Sequence, residues 1–201
     1  AEGIKKRVTV TGNTVVDAVH AHVDIADQKS EVLQKLSLRA GEYAVLTAHR
    51  AENVDDESRF QSILDGLGDI ASRFDIPVIY PIHPRAADCI NAFDIDVPSR
   101  IHVVDPLAYL DFLQLQRNAA VIITDSGGVQ EEACILGTPC VTVRDNTERP
   151  ETLEVGANEL VGTNQSSIVS GVESMIGSSD SWPNPFGDGN AADQILDVIL
   201  N

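Results

Sequence analysis

Cysteine is scarce. Cys89, Cys134 and Cys140 are the three in 201 residues, with no CxxC pair and no metal-ligand spacing among them. An odd count argues against a disulfide framework and fits a reducing compartment. Positive charge is short as well, with 14 Lys and Arg against 31 Asp and Glu, for a formal net charge of −17. Such a field repels nucleic-acid phosphates and anionic lipid, so neither nucleic acid nor membrane is expected as a partner, and an anionic ligand needs a locally positive pocket. No run approaches 18 apolar residues, and the opening Ala-Glu-Gly-Ile-Lys-Lys-Arg has no apolar stretch behind its charges, so nothing reads as a membrane span or a secretory leader. These absences together point to a soluble, cytoplasmic protein. The chain starts at Ala1 without a methionine, which reads as a processed product or a cut piece. HExxH, GxxxxGKS/T and GxGxxG are all missing, so a metalloprotease, a P-loop NTPase and a dinucleotide-dependent dehydrogenase are unsupported. His20 and His22 stand two apart on an expected helix, face different directions and make a poor metal pair.

What is present is a regular alternation. A chain of this length suits one domain with a buried core, and a 43% hydrophobic content is ordinary for a globular protein. The acidic residues are scattered rather than gathered in a tail, as on the surfaces of proteins from salt-rich cytoplasm. Short β-rich runs at 8–11, 43–47, 77–80, 101–104, 120–124, 140–143 and 159–161 alternate with helical stretches at 56–74, 85–93, 109–117, 127–136 and 166–176, and a further helix is expected from Thr14. Parallel neighbours need crossover connections, so strands separated by helices of this length predict an α/β fold, a doubly wound parallel sheet covered on both faces. A Gly/Ser/Asp/Pro-rich linker at 177–189 then leads to a terminal helix at 190–200, with Ala192, Ile195, Leu196 and Ile199 on one face.

In an open parallel sheet, ligands sit outside the carboxyl ends of the strands, so the segments just after each strand are the informative ones. Thr124-Asp125-Ser126-Gly127-Gly128-Val129-Gln130-Glu131-Glu132 joins a strand to a helix. Its glycines let a phosphate approach the backbone, Ser126 offers a hydroxyl, and the helix N-terminus offers free N–H groups and a positive dipole end. This predicts a phosphate seat without a lysine, with Glu132 one turn on as an acceptor for ribose hydroxyls; a plain glycine turn before an acidic helix is the competing reading. In Thr47-Ala48-His49-Arg50-Ala51-Glu52-Asn53, His49 can transfer a proton or bond a phosphate oxygen, Arg50 can pair with an anion, and Glu52 can orient either one. His83, in Tyr80-Pro81-Ile82-His83-Pro84, also follows a strand, although a loop stiffened by prolines accounts for it equally well. Arg144 and Arg149 sit among carboxylates after the strand at 140–143. Either arginine can neutralise a diphosphate, and a solvated salt-bridge cluster is the plain alternative.

Taken in order and spacing, VTGNTVVDAV, TAHRAEN, YPIHP, DPLAYLDFLQLQRNA, TDSGGVQEEACILGTPCVTVRDNTERPET and NPFGDGNAADQIL resemble the second half of non-hydrolysing UDP-N-acetylglucosamine 2-epimerases. The resemblance implies a Rossmann-like second domain of a glycosyltransferase-B architecture. It further implies interconversion of UDP-N-acetylglucosamine and UDP-N-acetylmannosamine through loss of the C2 proton and of UDP, with neither NAD nor a metal as cofactor. It assigns the active-site histidine to His49, the UDP phosphates to Ser126, Gly127 and Gly128, the ribose to Glu132, the uracil to Phe112, and a bracing role to Arg149. Arg50 and His83 match positions that contact a second, activating UDP-sugar in some bacterial members. The partners so implied are a UDP-sugar, an N-terminal domain that this sequence does not contain and, for the full-length protein, a second copy as a homodimer. Residues 1–7 then read as the end of an inter-domain linker, 8–176 as the UDP-binding domain, and 177–201 as linker and crossing helix. Without the N-terminal domain the fragment is expected to be inactive. Another glycosyltransferase-B nucleotide-sugar enzyme and a stand-alone UDP-binding module are the alternatives, and the TERPE and HRxEN segments favour the epimerase over the former.

Overall fold

The computed structural model describes residues 8–176 and 181–200. Residues 1–7 and 177–180, where the expected linker end and the start of the second linker fall, lie outside the described residues.

The elements run α1 (Thr14–Lys29), α2 (Val32–Lys35), β1 (Ala44–Thr47), α3 (Ala51–Val54), α4 (Glu57–Arg73), β2 (Val78–Pro81), α5 (Pro84–Phe93), β3 (Ile101–Val104), α6 (Tyr109–Arg117), β4 (Val121–Thr124), α7 (Gly127–Leu136), β5 (Cys140–Thr142), α8 (Pro150–Glu154), β6 (Asn158–Leu160), α9 (Gln165–Ile176) and α10 (Ala191–Leu200). The six strands form one sheet in the order β3-β2-β1-β4-β5-β6, parallel throughout. That is the strand order of dinucleotide-binding folds, and the chain reverses direction across the sheet between β1 and β4.

Period-two alternation along buried strands sends side chains into two cores. Ala44, Leu46, Val78, Tyr80, Val121 and Ile123 pack with Phe60, Ile63, Leu64, Leu67 and Ile70 of α4 and Ile168 and Val172 of α9. Val45, Ile79, Ile122 and Cys140 point the other way, against Leu115 of α6 and Val129 and Ala133 of α7. The α4 stripe repeats at helical spacing, and Asp56 caps the helix by accepting from the Arg59 N–H at 3.0 Å. Two tyrosines are fully buried and satisfied: Tyr43 Oη donates to the Leu115 carbonyl and Tyr80 Oη to the Ala48 carbonyl, each at 2.7 Å.

The run at 8–11 is not the strand its composition suggests. Both edges of the sheet belong to other strands, β3 and β6, and Val8 and Val10 are exposed in an irregular lead-in to α1. Between β1 and α4, residues 51–54 close a short helix. At the other end, α10 returns to α1, where Asp17 accepts from the Ala191 and Ala192 N–H groups at 3.3 and 3.0 Å. Only Ala191 of this helix is buried; Leu196, Val198, Ile199 and Leu200 are exposed. No helix among the described residues is long and apolar enough to cross a membrane.

Candidate functional site

The reversal between β1 and β4 opens a crevice at their carboxyl ends. Thr47 and Thr124 are register partners there, with hydroxyls 2.5 Å apart, and the Thr124 hydroxyl accepts from the Ser126 N–H at 2.9 Å. His49 and Ser126 each stand two residues beyond these paired threonines, which is why they meet. Both line a cleft of about 240 Å³ together with Ile82, His83, Leu107 and Phe112. Four of the residues singled out in the sequence thus share one cavity: His49, His83 and Ser126 from the ends of β1, β2 and β4, and Phe112 from α6.

Ser126 is the N-cap of α7, yet its side chain makes no capping bond. A serine in that position ordinarily satisfies one of the helix's orphan donors. Here the N–H groups of Gly127, Gly128 and Val129 have no intrahelical acceptor, and the Ser126 hydroxyl stays available beside them. Neither glycine is required by backbone strain, since neither has a positive φ. Packing does not require them either: a Cβ on Gly127 would meet its nearest atoms, Glu148 Oε2 and Arg149 Cζ, at 3.7 and 3.8 Å, and one on Gly128 would meet only Ser126 Oγ, at 4.0 Å. What the missing side chains leave open is the approach to the helix N-terminus, the requirement of a bound anion.

Arg149 supplies the positive charge. Its Nε lies 2.6 Å from Glu131 Oε1, an ion pair by distance although the N–H does not point squarely at the oxygen, and its Nη1 donates to the Glu148 carbonyl at 2.9 Å. Nη2 is 3.9 Å from the Cβ position of Gly127, so the guanidinium stands over the first turn of α7. The loop carrying it is pinned to α7, where the Thr147 hydroxyl donates to Gln130 Oε1 at 2.5 Å and accepts from the Arg149 N–H at 3.0 Å.

Arg144 proves to be of the other kind. It is 5% exposed, donating from Nε to Glu52 at 2.7 Å and from Nη1 to Glu148 at 2.6 Å, and the Glu148 hydrogen bond is the larger cause that raises its pKa further. It fastens α3 to the loop after β5 and has no reach left for a diphosphate. This corrects the expectation for Glu52, which orients neither His49 nor Arg50 because its carboxylate is committed to Arg144.

The residue that does orient them is Asp125, fully buried after β4. Its Oδ2 accepts from the backbone N–H groups of His49 at 2.9 Å and Arg50 at 2.8 Å and from Asn53 Nδ2 at 3.3 Å, while His49 Nδ1 lies 3.2 Å from Oδ1. Burial by itself would raise this carboxyl, but the His49 side chain and the backbone donors together hold it below its ordinary value. The His83 ring stands 5.4 Å from that of His49, and its Nδ1 accepts from the Arg85 N–H at 3.2 Å, capping α5. Arg50 is the N-cap of α3, outside the cleft lining, with a buried Nε that has no hydrogen-bond partner among the described residues.

Glu132 lies one turn into α7, and its Oε2 accepts from Gln116 at 2.7 Å. Burial pushes its carboxyl up, opposed by the Gln116 hydrogen bond and reinforced by neighbouring Glu131. Sequence reasoning missed Asp125, Asn53, Gln116 and the Asn13–Glu131 bond of 3.0 Å that ties the lead-in of α1 to α7. The signal for Asp125 was its place one residue past a strand inside the glycine segment.

The family model described as UDP-N-acetylglucosamine 2-epimerase matches residues 1–200. The chain is 43% identical to the UDP-N-acetylglucosamine 2-epimerase of Methanocaldococcus jannaschii, over 98% of this chain and 56% of that protein. It is 42% identical to that of Methanococcus maripaludis, over 99% and 56%. The structure superposes on the crystal structure of the M. jannaschii enzyme in complex with UDP-GlcNAc and UDP with a TM-score of 0.89 at 43% identity, covering 96% of this chain and 55% of that one. The chain spans little more than half the length of the relatives it matches.

Proposed function

The chain belongs to the UDP-N-acetylglucosamine 2-epimerase family, and on that premise we propose that it is the nucleotide-binding, C-terminal half of an enzyme interconverting UDP-N-acetylglucosamine and UDP-N-acetylmannosamine. The observation that carries this reading is the uncapped start of α7, with Ser126 at its N-cap, Arg149 above it and His49 across the crevice. In the proposed arrangement the UDP diphosphate lies on the N–H groups of Gly127 and Gly128, Phe112 lies against the uracil, and Glu132 accepts from the ribose. Expulsion of UDP from C1 moves negative charge onto the diphosphate, where fixed N–H donors and the Arg149 guanidinium oppose it without having to reorganise. His49 is the proton-transfer group on this side. Arg50 and His83 are kept as contacts for a second UDP-sugar.

Epimerisation at C2 needs a base on one face and an acid on the other, each typically contributing ~10²–10⁴-fold. His49 serves one face at most, so the other group is assigned to an N-terminal domain. The exposed Leu196, Ile199 and Leu200 of α10 are the surface proposed to dock on it, as a helix crossing back between the domains. The test is exchange of the C2 proton of UDP-N-acetylglucosamine in heavy water, followed by NMR. The expected result is no exchange by this chain alone and exchange when the separately expressed first domain is added. Exchange by the chain alone, abolished by His49→Ala, would contradict this division of labour.

A further inference from the structure

We propose that Asp125 is a positioning residue that fixes the tautomer of His49, so that the imidazole carries its proton on Nδ1 and presents an unprotonated Nε2 to the cleft. The proposal rests on His49 being the proton-transfer group of the preceding reading.

The two carboxylate oxygens of Asp125 are not equivalent. Oδ2 is taken by three donors, the N–H groups of His49 and Arg50 and the Asn53 side chain. Oδ1 is buried, and no hydrogen bond among the described residues satisfies it. His49 Nδ1 stands 3.2 Å from it, within hydrogen-bond distance but off the N–H axis. A buried carboxylate oxygen without a donor is costly, and a small rotation of the imidazole supplies one. Protonation at Nδ1 is therefore favoured by the need of Oδ1, and a neutral imidazole protonated there leaves its lone pair at Nε2.

The backbone around the pair is rigid enough to make this a selection rather than a preference. The Ala48 carbonyl is held by Tyr80 Oη, and the His49 and Arg50 N–H groups are held by Asp125 itself. The neighbouring histidine is fixed in the opposite sense. His83 Nδ1 accepts from a backbone N–H, so a neutral His83 carries its proton on Nε2. The two imidazoles that line one cleft are thus an acceptor at His49 and a donor at His83.

The geometry also fixes what an amide in place of Asp125 would do. Asparagine has one acceptor oxygen, and the three donors converging on the Oδ2 position claim it. Its NH2 group is then turned toward His49 Nδ1, which must accept, and the proton moves to Nε2. Asp125→Asn would invert the tautomer of His49 while leaving the backbone bonds in place.

The test is side-chain ¹⁵N NMR of the imidazoles in this 201-residue chain, at a pH where they are neutral, with His49→Gln to identify the signals and UDP added to a parallel sample. We expect His49 to be protonated on Nδ1 in the unmodified chain and on Nε2 in Asp125→Asn. A packing role for Asp125 would not reverse the two nitrogens. Protonation of His49 on Nε2 in the unmodified chain would overturn the proposal, whether or not the variant folds, and so would an unchanged Nδ1–H in a folded Asp125→Asn. Failure of UDP to bind the unmodified chain would count against the nucleotide reading and leave the tautomer result standing.

Discussion

Arg149 Nε and Glu131 Oε1 stand 2.6 Å apart, and the pair holds a guanidinium over Gly127 at the first turn of α7. Glu131 is itself held by Asn13 Nδ2 at 3.0 Å, so the arginine is anchored through two elements before any ligand arrives. Arg149→Ala should weaken UDP binding by roughly tenfold or more, the loss of a charge-assisted hydrogen bond of ~1.5–3 kcal/mol. It should also lower the melting temperature, because Glu131 keeps its charge with only Asn13 for a partner. Adding Glu131→Gln should restore the melting temperature and not the affinity. Calorimetric titration and thermal melts on the two variants separate these effects; recovery of affinity in the double variant would show that Arg149 is not the phosphate contact.

Gly127→Ala splits stability from binding. The added Cβ would make only ordinary contacts, and alanine is favoured over glycine in helices by up to ~1 kcal/mol, so the melting temperature should hold or rise slightly. With the phosphate seated as proposed, the same methyl group would lie in its path, and UDP affinity should fall. Gly171→Ala is the contrast, since its Cβ would collide with Val161 Cγ1 and should destabilise the domain. Equal UDP affinity in Gly127→Ala and the unmodified chain would remove that glycine from the seat.

Much of this was legible in the sequence. Period-two and helical spacing located the strands from 43 onward and the longer helices to within a residue or two, because buried parallel strands and amphipathic helices repeat where packing demands it. The run at 8–11 has strand composition, but composition carries no information on whether a neighbouring strand offers a free edge. The cleft residues His49, His83 and Ser126 were found because each follows a strand, whereas Phe112, inside α6, was singled out only through the family resemblance. Asp125 was not, because its function depends on two N–H groups 75 residues or more away in the chain, a relation fixed by the register of β1 against β4. Glu52 failed for the same reason: proximity in sequence to His49 favoured it, and Arg144 claims it in three dimensions.

Glu132 gives a pH signature. Its folded-state pKa is raised, chiefly by burial, so its contribution to stability is complete below the ordinary glutamate range and is lost as pH rises through the raised value. At neutral pH the ionised side chain therefore works against the fold. Glu132→Gln keeps an acceptor for Gln116 and removes the charge, so the variant should melt higher than the unmodified chain at pH 7, with the gain vanishing toward pH 4. UDP binding should weaken about fivefold, the ~1 kcal/mol between a charged and a neutral hydrogen bond. Melts across that range decide the first part, and a gain that grows toward acid would contradict the sign.

Seating of the UDP diphosphate on the first turn of α7 is open to direct observation. Backbone amide NMR of the ¹⁵N-labelled chain titrated with UDP reads those N–H groups directly. Saturable shifts centred on Gly127, Gly128 and Val129 are expected, with smaller ones at His49 and around Phe112, and their loss in Ser126→Ala combined with Arg149→Ala. Amides of Gly127 and Gly128 that stay unmoved at millimolar UDP, or shifts centred on another face of the sheet, would contradict it.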